Sequence, residues 1–278
     1  MSYENRIALG NLVPTIGQFK VMDKIPQYQQ CEVHNLVEAP AEVPEVLRHV
    51  VFNIERGQTL HETIDFLNMC PDFKNMDIIY ANELDDGAVR SGNCNVAYEI
   101  AKSIGMNYAY GLEFIELVNP NDNKGFHGNA LFSRWPIRWA KVVHMPEQYN
   151  WYNDRQKRIG GRCAILAKLD VHGREVGVAS IHLENRTDGE GRRVQMQAVL
   201  DEVGKGDDAF GIIEAQLSDM VAKLRQLSDQ TGHSLYDIQV RASADTLTKQ
   251  LNAYASRLQE VYKNNMASYQ QDVSKVNG

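Results

Sequence analysis

Twice within its first hundred residues this sequence runs an apolar, strand-like stretch into polar residues and then into a helical pattern. That repeated order restricts the fold more than any other feature. The first pass is His49-Val50-Val51-Phe52-Asn53-Ile54, a β-branched and aromatic run closed by Glu55-Arg56-Gly57, with a helix expected from Thr59 to about Cys70. The second is Met76-Asp77-Ile78-Ile79-Tyr80-Ala81-Asn82-Glu83, with a helix from Asn95 to a glycine stop at Gly105. A helix or a sheet must bury its apolar face against another element, so strand, helix, strand, helix predicts an α/β layer fold.

Further strands are expected at Tyr108–Leu117, Asn129–Phe132 and Trp139–His144. A hairpin is expected where Cys163–Leu169 and Glu175–Leu183 flank Asp170-Val171-His172-Gly173-Arg174. Asp188–Val203 reads as a helix with Gly204 beyond it. Ahead of all this, residues 1–44 carry Pro14, Pro26, Pro40 and Pro44 and read as a lead-in of turns with one edge strand. After residue 208 the texture changes. Proline and strand-like alternation stop, and Ile213, Leu217, Met220, Leu224 and Leu227, then Leu247, Leu251, Tyr254, Leu258 and Val261, recur at steps of three and four. Three segments follow: a lead-in over 1–44, an α/β domain over 45–208, and a tail over 209–278 that forms a helical hairpin or coiled coil.

Composition narrows the function. With 278 residues, of which 43% are hydrophobic, the chain can bury a sizeable core. A formal net charge of -7 argues against holding nucleic acid through an overall basic field, yet permits an enzyme that grips one phosphate through a metal. Cys31, Cys70, Cys94 and Cys163 lack C-x-x-C spacing, which suggests reduced structural thiols rather than a zinc site or a disulfide framework. No stretch approaches the length of a membrane span and the N-terminus lacks a leader pattern, so the expected location is cytoplasmic.

Hydrolysis of a phosphoester with a divalent metal needs a carboxylate for the ion, a polar group to orient phosphate or nucleophile, and a proton-transfer group. Asn53, Glu83 and His182 each end an expected strand, where a rigid sheet can aim them into one cleft. Each also has a plain structural reading. Glu83 can be a solvated strand-end carboxylate, Asn53 a turn residue bonding its own backbone, and His182 a satisfied core histidine.

The order of the motifs adds a resemblance that spacing alone does not supply. Val51-Phe52-Asn53-Ile54 and Ile78-Ile79-Tyr80-Ala81-Asn82-Glu83 resemble the opening Asn strand and the metal-binding Glu strand of the endonuclease/exonuclease/phosphatase family. Gly128-Asn129-Ala130-Leu131-Phe132-Ser133-Arg134-Trp135-Pro136-Ile137 is similar to that family's G-N-A-x-L-S-R-x-P-I segment. Val178-Ala179-Ser180-Ile181-His182-Leu183 is similar to its histidine strand, and the helix from Arg192 to Gln197 to its R-x-x-Q. The resemblance implies a partial four-layer α/β sandwich of mixed, largely antiparallel sheet. It also implies Glu83 as a ligand of Mg²⁺ or Mn²⁺, Asn53 as a catalytic orienting group, and His182 as the acid/base or phosphate-contacting residue. Arg90 is a candidate phosphate contact, with an ion pair to Asp85 or Asp86 as the alternative. Asn129 is a candidate at the substrate as well as a turn and packing residue, like Tyr110 and Arg134, and His127 reads as a loop residue.

The family's later G-D-F-N strand and its Asp-His pair have no counterpart here. Gly206-Asp207-Asp208 falls near the former without an apolar strand before it, and His233 has no Asp before it. Without those parts a sheet face should stay uncovered. The expected function is therefore a metal-dependent phosphoester hydrolase, impaired in activity, acting on a phosphoester of unspecified type. The alternative is a non-catalytic scaffold that self-associates through residues 209–278.

Overall fold

In a computed structural model, residues 1–42 and 44–205 are described, and they form four layers in the order helices, sheet, sheet, helix. The larger sheet contains β1 (Glu32–His34), β2 (His49–Arg56), β3 (Ile78–Asp86), β4 (Asn107–Glu116), β5 (Phe126–Ser133) and β7 (Arg158–Gly160). Its order is β1-β4-β5-β3-β2, with β7 also paired to β4. Only the β2–β3 pair is parallel, because the helices α4 (Leu60–Met69) and α5 (Pro71–Lys74) cross between them; the other neighbours pair antiparallel. The smaller sheet is antiparallel, in the order β6 (Ile137–His144), β8 (Cys163–Val171), β9 (Arg174–Ile181). The β8–β9 turn puts His172 and Gly173 at positive φ, 50° and 80°, which matches the twist of the flanking strands.

Alternation along the strands sorts side chains between layers. Ile79, Ala81, Tyr108, Tyr110, Ala130 and Phe132 face α4 and α6 (Val96–Ile104), while Ile78, Ala109, Leu131, Ile165, Ala167 and Leu169 fill the space between the sheets. The outer face of the small sheet, through Val143, Ala164 and Leu166, packs on Val199 and Val203 of α7 (Gly189–Val203). Asn95 caps α6 by accepting from the Tyr98 amide, and Asp188 caps α7 by accepting from Gly191, so both helices start where a short acceptor side chain precedes them.

The first residues depart from expectation. In place of a turn-rich lead-in there are three helices, α1 (Tyr3–Ile16), α2 (Gln18–Met22) and α3 (Pro26–Gln29), ahead of the edge strand β1. Val21, Met22, Ile25 and Tyr28 pack on Leu112, Ile115 and Ile159, so this segment is part of the core. Pro14 is tolerated near the end of α1, where the kink it causes has little helix left to disturb. The short strand β7 also had no sequence signal. The expected helical tail, its self-association, and Asp207, Asp208 and His233 lie outside the described residues. No helix among the described residues is long and apolar enough to cross a membrane.

Candidate active site

The site begins with an irregularity in β3. Ala81 pairs with Ala130 and Leu84 with Gly128, so Asn82 and Glu83 together oppose the single residue Asn129. This is a β-bulge, and Glu83 takes the strained left-handed conformation at φ 61°. Asn129, fully buried, answers it: its Oδ1 accepts from the Glu83 amide at 3.2 Å, and its Nδ2 donates to Cys163 Sγ at 3.4 Å. Tyr110 donates its hydroxyl to the Leu84 carbonyl at 3.3 Å from the next strand. Gly128 is required beside it, since a Cβ there would lie 2.2 Å from the Gly111 carbonyl oxygen. The G-N-A motif thus has a local explanation: it lets β4 and β5 close up and satisfies the amide that the bulge frees.

The bulge presents the Glu83 side chain, about a quarter exposed, to His182 just beyond β9 in the other sheet, with His182 Nε2 3.7 Å from Glu83 Oε1. On its other side His182 Nδ1 is 3.3 Å from the Glu113 carboxylate. Glu113 sits at a register shift in β4 and is wholly buried. Burial alone would raise its pKa, but the charges of His182 and Arg162 outweigh burial and hold the carboxyl at about 2. Arg162 donates to Glu113 at 3.0 Å and to Glu184 at 3.4 Å, and its Nη1 is 3.0 Å from His182 Nδ1. Burial lowers the guanidinium pKa and the two carboxylates raise it, with a net rise. Glu184 in turn accepts from Trp151 Nε1 at 2.7 Å, and its amide donates to Gln195 Oε1 at 2.8 Å. Arg192 donates to the Thr187 carbonyl at 2.7 Å. The R-x-x-Q of α7 therefore pins the loop that follows His182.

His182 Nδ1 thus lies between the Glu113 carboxylate and an Arg162 donor, while its Nε2 faces Glu83. Glu113, Arg162 and Glu184 were absent from the sequence reading. The signal for Glu113 was a charged residue inside the run Tyr108–Leu117; the other two carry none, because their partners are distant in sequence.

The remaining candidates are held by partners of their own. Asn53 is exposed on the edge strand β2, opposite Asn82, and its Oδ1 accepts from the Glu55 amide at 2.9 Å, the turn arrangement. Arg90 takes the ion-pair alternative: it donates to Asp85 at 2.6 and 2.7 Å and to Glu116 at 3.0 Å. Asn129 supports the site from a fully buried position. His127, expected in a loop, lies buried in β5 with Nδ1 2.8 Å from Asp85. Burial raises the Asp85 pKa, and the bonds from Arg90 and His127 more than reverse it. Arg134 donates to the Lys74 carbonyl at 2.8 Å and is scaffold.

Among the described residues no group of three His, Cys, Asp or Glu is placed to hold a metal ion. Glu83 supplies one carboxylate, and the adjoining Asn82 has a buried Oδ1 with no partner. Mg²⁺ is commonly held by one or two carboxylates together with waters and substrate phosphate, so this donor set fits a weakly bound ion.

No family model matches the sequence, and no curated protein matches it. Solved structures do. The structural neighbours are endonuclease/exonuclease/phosphatase family proteins. One such protein from Beutenbergia cavernae DSM 12333 matches 58% of this chain and 44% of its own length, with a TM-score of 0.41 and 19% identity. Another, from Leptotrichia buccalis C-1013-b, matches 58% of this chain and 63% of its own, with a TM-score of 0.41 and 14% identity. D. rerio TDP2, solved with a single-strand DNA product, matches 58% and 56%, with a TM-score of 0.36 and 12% identity. The chain spans less than two thirds of each.

Proposed function

We propose that this chain hydrolyses a phosphoester bond at a centre formed by Glu83 and His182, with Mg²⁺ or Mn²⁺ held by Glu83. One observation carries the reading: a strained bulge, clamped by the buried Asn129, brings a carboxylate of one sheet within 3.7 Å of a histidine that follows a strand of the other. Left-handed conformation in a non-glycine residue costs about 1 kcal/mol or more, and such strain gathers at functional sites.

His182 Nε2 is the proton-transfer atom. It takes a proton from the attacking water or gives one to the leaving oxygen. Glu113 lies beside Nδ1 and stabilises the imidazolium that forms, while Arg162 keeps Glu113 ionised. A bound divalent ion would polarise the phosphoryl oxygens and lower the pKa of water. With one carboxylate among the described residues to hold that ion, turnover is low.

Hydrolysis of bis(p-nitrophenyl) phosphate in Mg²⁺ or Mn²⁺ tests the reading. Glu83→Ala and His182→Ala should each lower the rate about 100-fold, the usual scale for removing a proton-transfer group. Unchanged turnover in both sinks the assignment.

A further inference from the structure

Close to the Glu83–His182 centre lies a cluster of guanidinium groups that the proton path does not use. Arg56 stands opposite Leu84 in the β2–β3 register, one residue beyond Glu83. Its Nη2 donates to Gln156 Oε1 at 3.3 Å, and Arg158 Nη2 donates to the same oxygen at 3.0 Å. An amide oxygen satisfies donors but neutralises no charge. Among the described residues neither arginine is hydrogen-bonded to a carboxylate, though Glu116 and Glu113 act on Arg158 from farther off, and Arg158 is only 6% exposed.

The nearby carboxylate, Glu116, has one oxygen bonded to other groups and one buried without a partner. Glu116 accepts from Arg90 and from Gln156 Nε2, each at 3.0 Å, and Arg90 is shared with Asp85. Arg56 and Arg158 thus meet across one neutral oxygen, two like charges side by side with no carboxylate bonded to either. Two guanidinium groups held this close repel each other, and an anion set between them offsets that repulsion. The place is next to the catalytic centre. Arg158 lies over the rings of Phe114 and Trp151, at 4.8 and 4.5 Å, and Arg162, which touches His182, lies against the same two rings at 5.7 and 5.3 Å.

We propose that Arg56 and Arg158 form an anion subsite that receives a second phosphate, so that the substrate carries a phosphate group beside the scissile phosphoester. The proposal rests on the hydrolase reading for the word substrate, and on the arginine geometry alone for the anion. Gln156 holds the two guanidinium groups together, and the partly exposed Arg56 is the one a phosphate would meet first, with the planar fork of arginine suited to its oxygens.

The experiment is calorimetric titration of the full chain with inorganic pyrophosphate, in chelator so that no divalent ion takes part. Binding should weaken about tenfold or more in Arg56→Ala and in Arg158→Gln, each of which removes charge-assisted hydrogen bonds. It should persist in Glu83→Ala. Arg56 is partly exposed, so Arg56→Ala decides the matter by itself where Arg158→Gln fails to fold. Equal affinity in the wild type and Arg56→Ala, or no binding by the folded wild type, overturns the subsite. Hydrolysis without pyrophosphate binding removes the subsite alone, and pyrophosphate binding without hydrolysis removes the catalytic reading alone.

Discussion

Strands β4 and β2 belong to one sheet and bear polar residues under opposite conditions. β4 is central, and all ten of its residues are buried, so Glu113 and Glu116 exist there only because arginines, a histidine and Gln156 surround them. β2 is an edge, and alternate residues on it, including Asn53 and Val51, stand in solvent, with Val51 68% exposed. A polar side chain on β4 is fixed by several partners at once. On β2 the nearest backbone is partner enough. Depth in the sheet therefore separates groups whose position is determined by the whole fold from groups whose position is set by two or three neighbouring residues.

The sharpest way to break that contrast is Glu113→Ala. It strands Arg162 and His182 in a buried site, and losing one partner of a buried pair costs about 3–5 kcal/mol. Urea unfolding measures it; a loss below 1 kcal/mol would mean that the network is not held in the way described. Next comes acid. The folded Glu113 carboxyl at about 2 lies below its ordinary value of 4.5, so its stabilisation is complete above about 4.5 and is lost as pH falls toward 2. Stability of the wild type should fall by on the order of 3 kcal/mol across that window. Glu113→Ala should show a shallower decline. The smallest effect belongs to Asn53→Ala, which should change stability by about 0.5 kcal/mol or less, as surface substitutions do. A large loss of phosphodiesterase activity with stability intact would bring Asn53 back into the site.

The same contrast explains what could be read from the chain. Glu83 and His182 were legible because each ends an apolar run, a pattern carried by consecutive residues. The strands other than β7, and the helices α4, α6 and α7, were legible for the same reason. Glu113 and Arg162 were not, since the contact between them joins residues 49 apart and the one local sign, a charge inside the run that holds Glu113, names no partner. Gly128-Asn129 was recognised as a motif, but its task, closing a bulge forty-six residues earlier, appears only in three dimensions. The N-terminal helices were hidden by their prolines. Pro14 and Pro26 resemble turn punctuation, yet Pro26 opens a helix and Pro14 sits near the close of another.

The bulge in β3 also has an arithmetical side. Ala81 and Leu84 keep the pairing with Ala130 and Gly128 that an unbroken antiparallel ladder would have if one residue, rather than two, lay between them. Leu84 still enters the helix-facing core along with Ile79 and Ala81. Deleting Glu83 would leave every later partner in β5 where it now stands. Glu83 is thus a supernumerary residue for the ladder, one the strand neither counts nor requires, and the backbone bears its strained conformation for the sake of where its carboxylate ends.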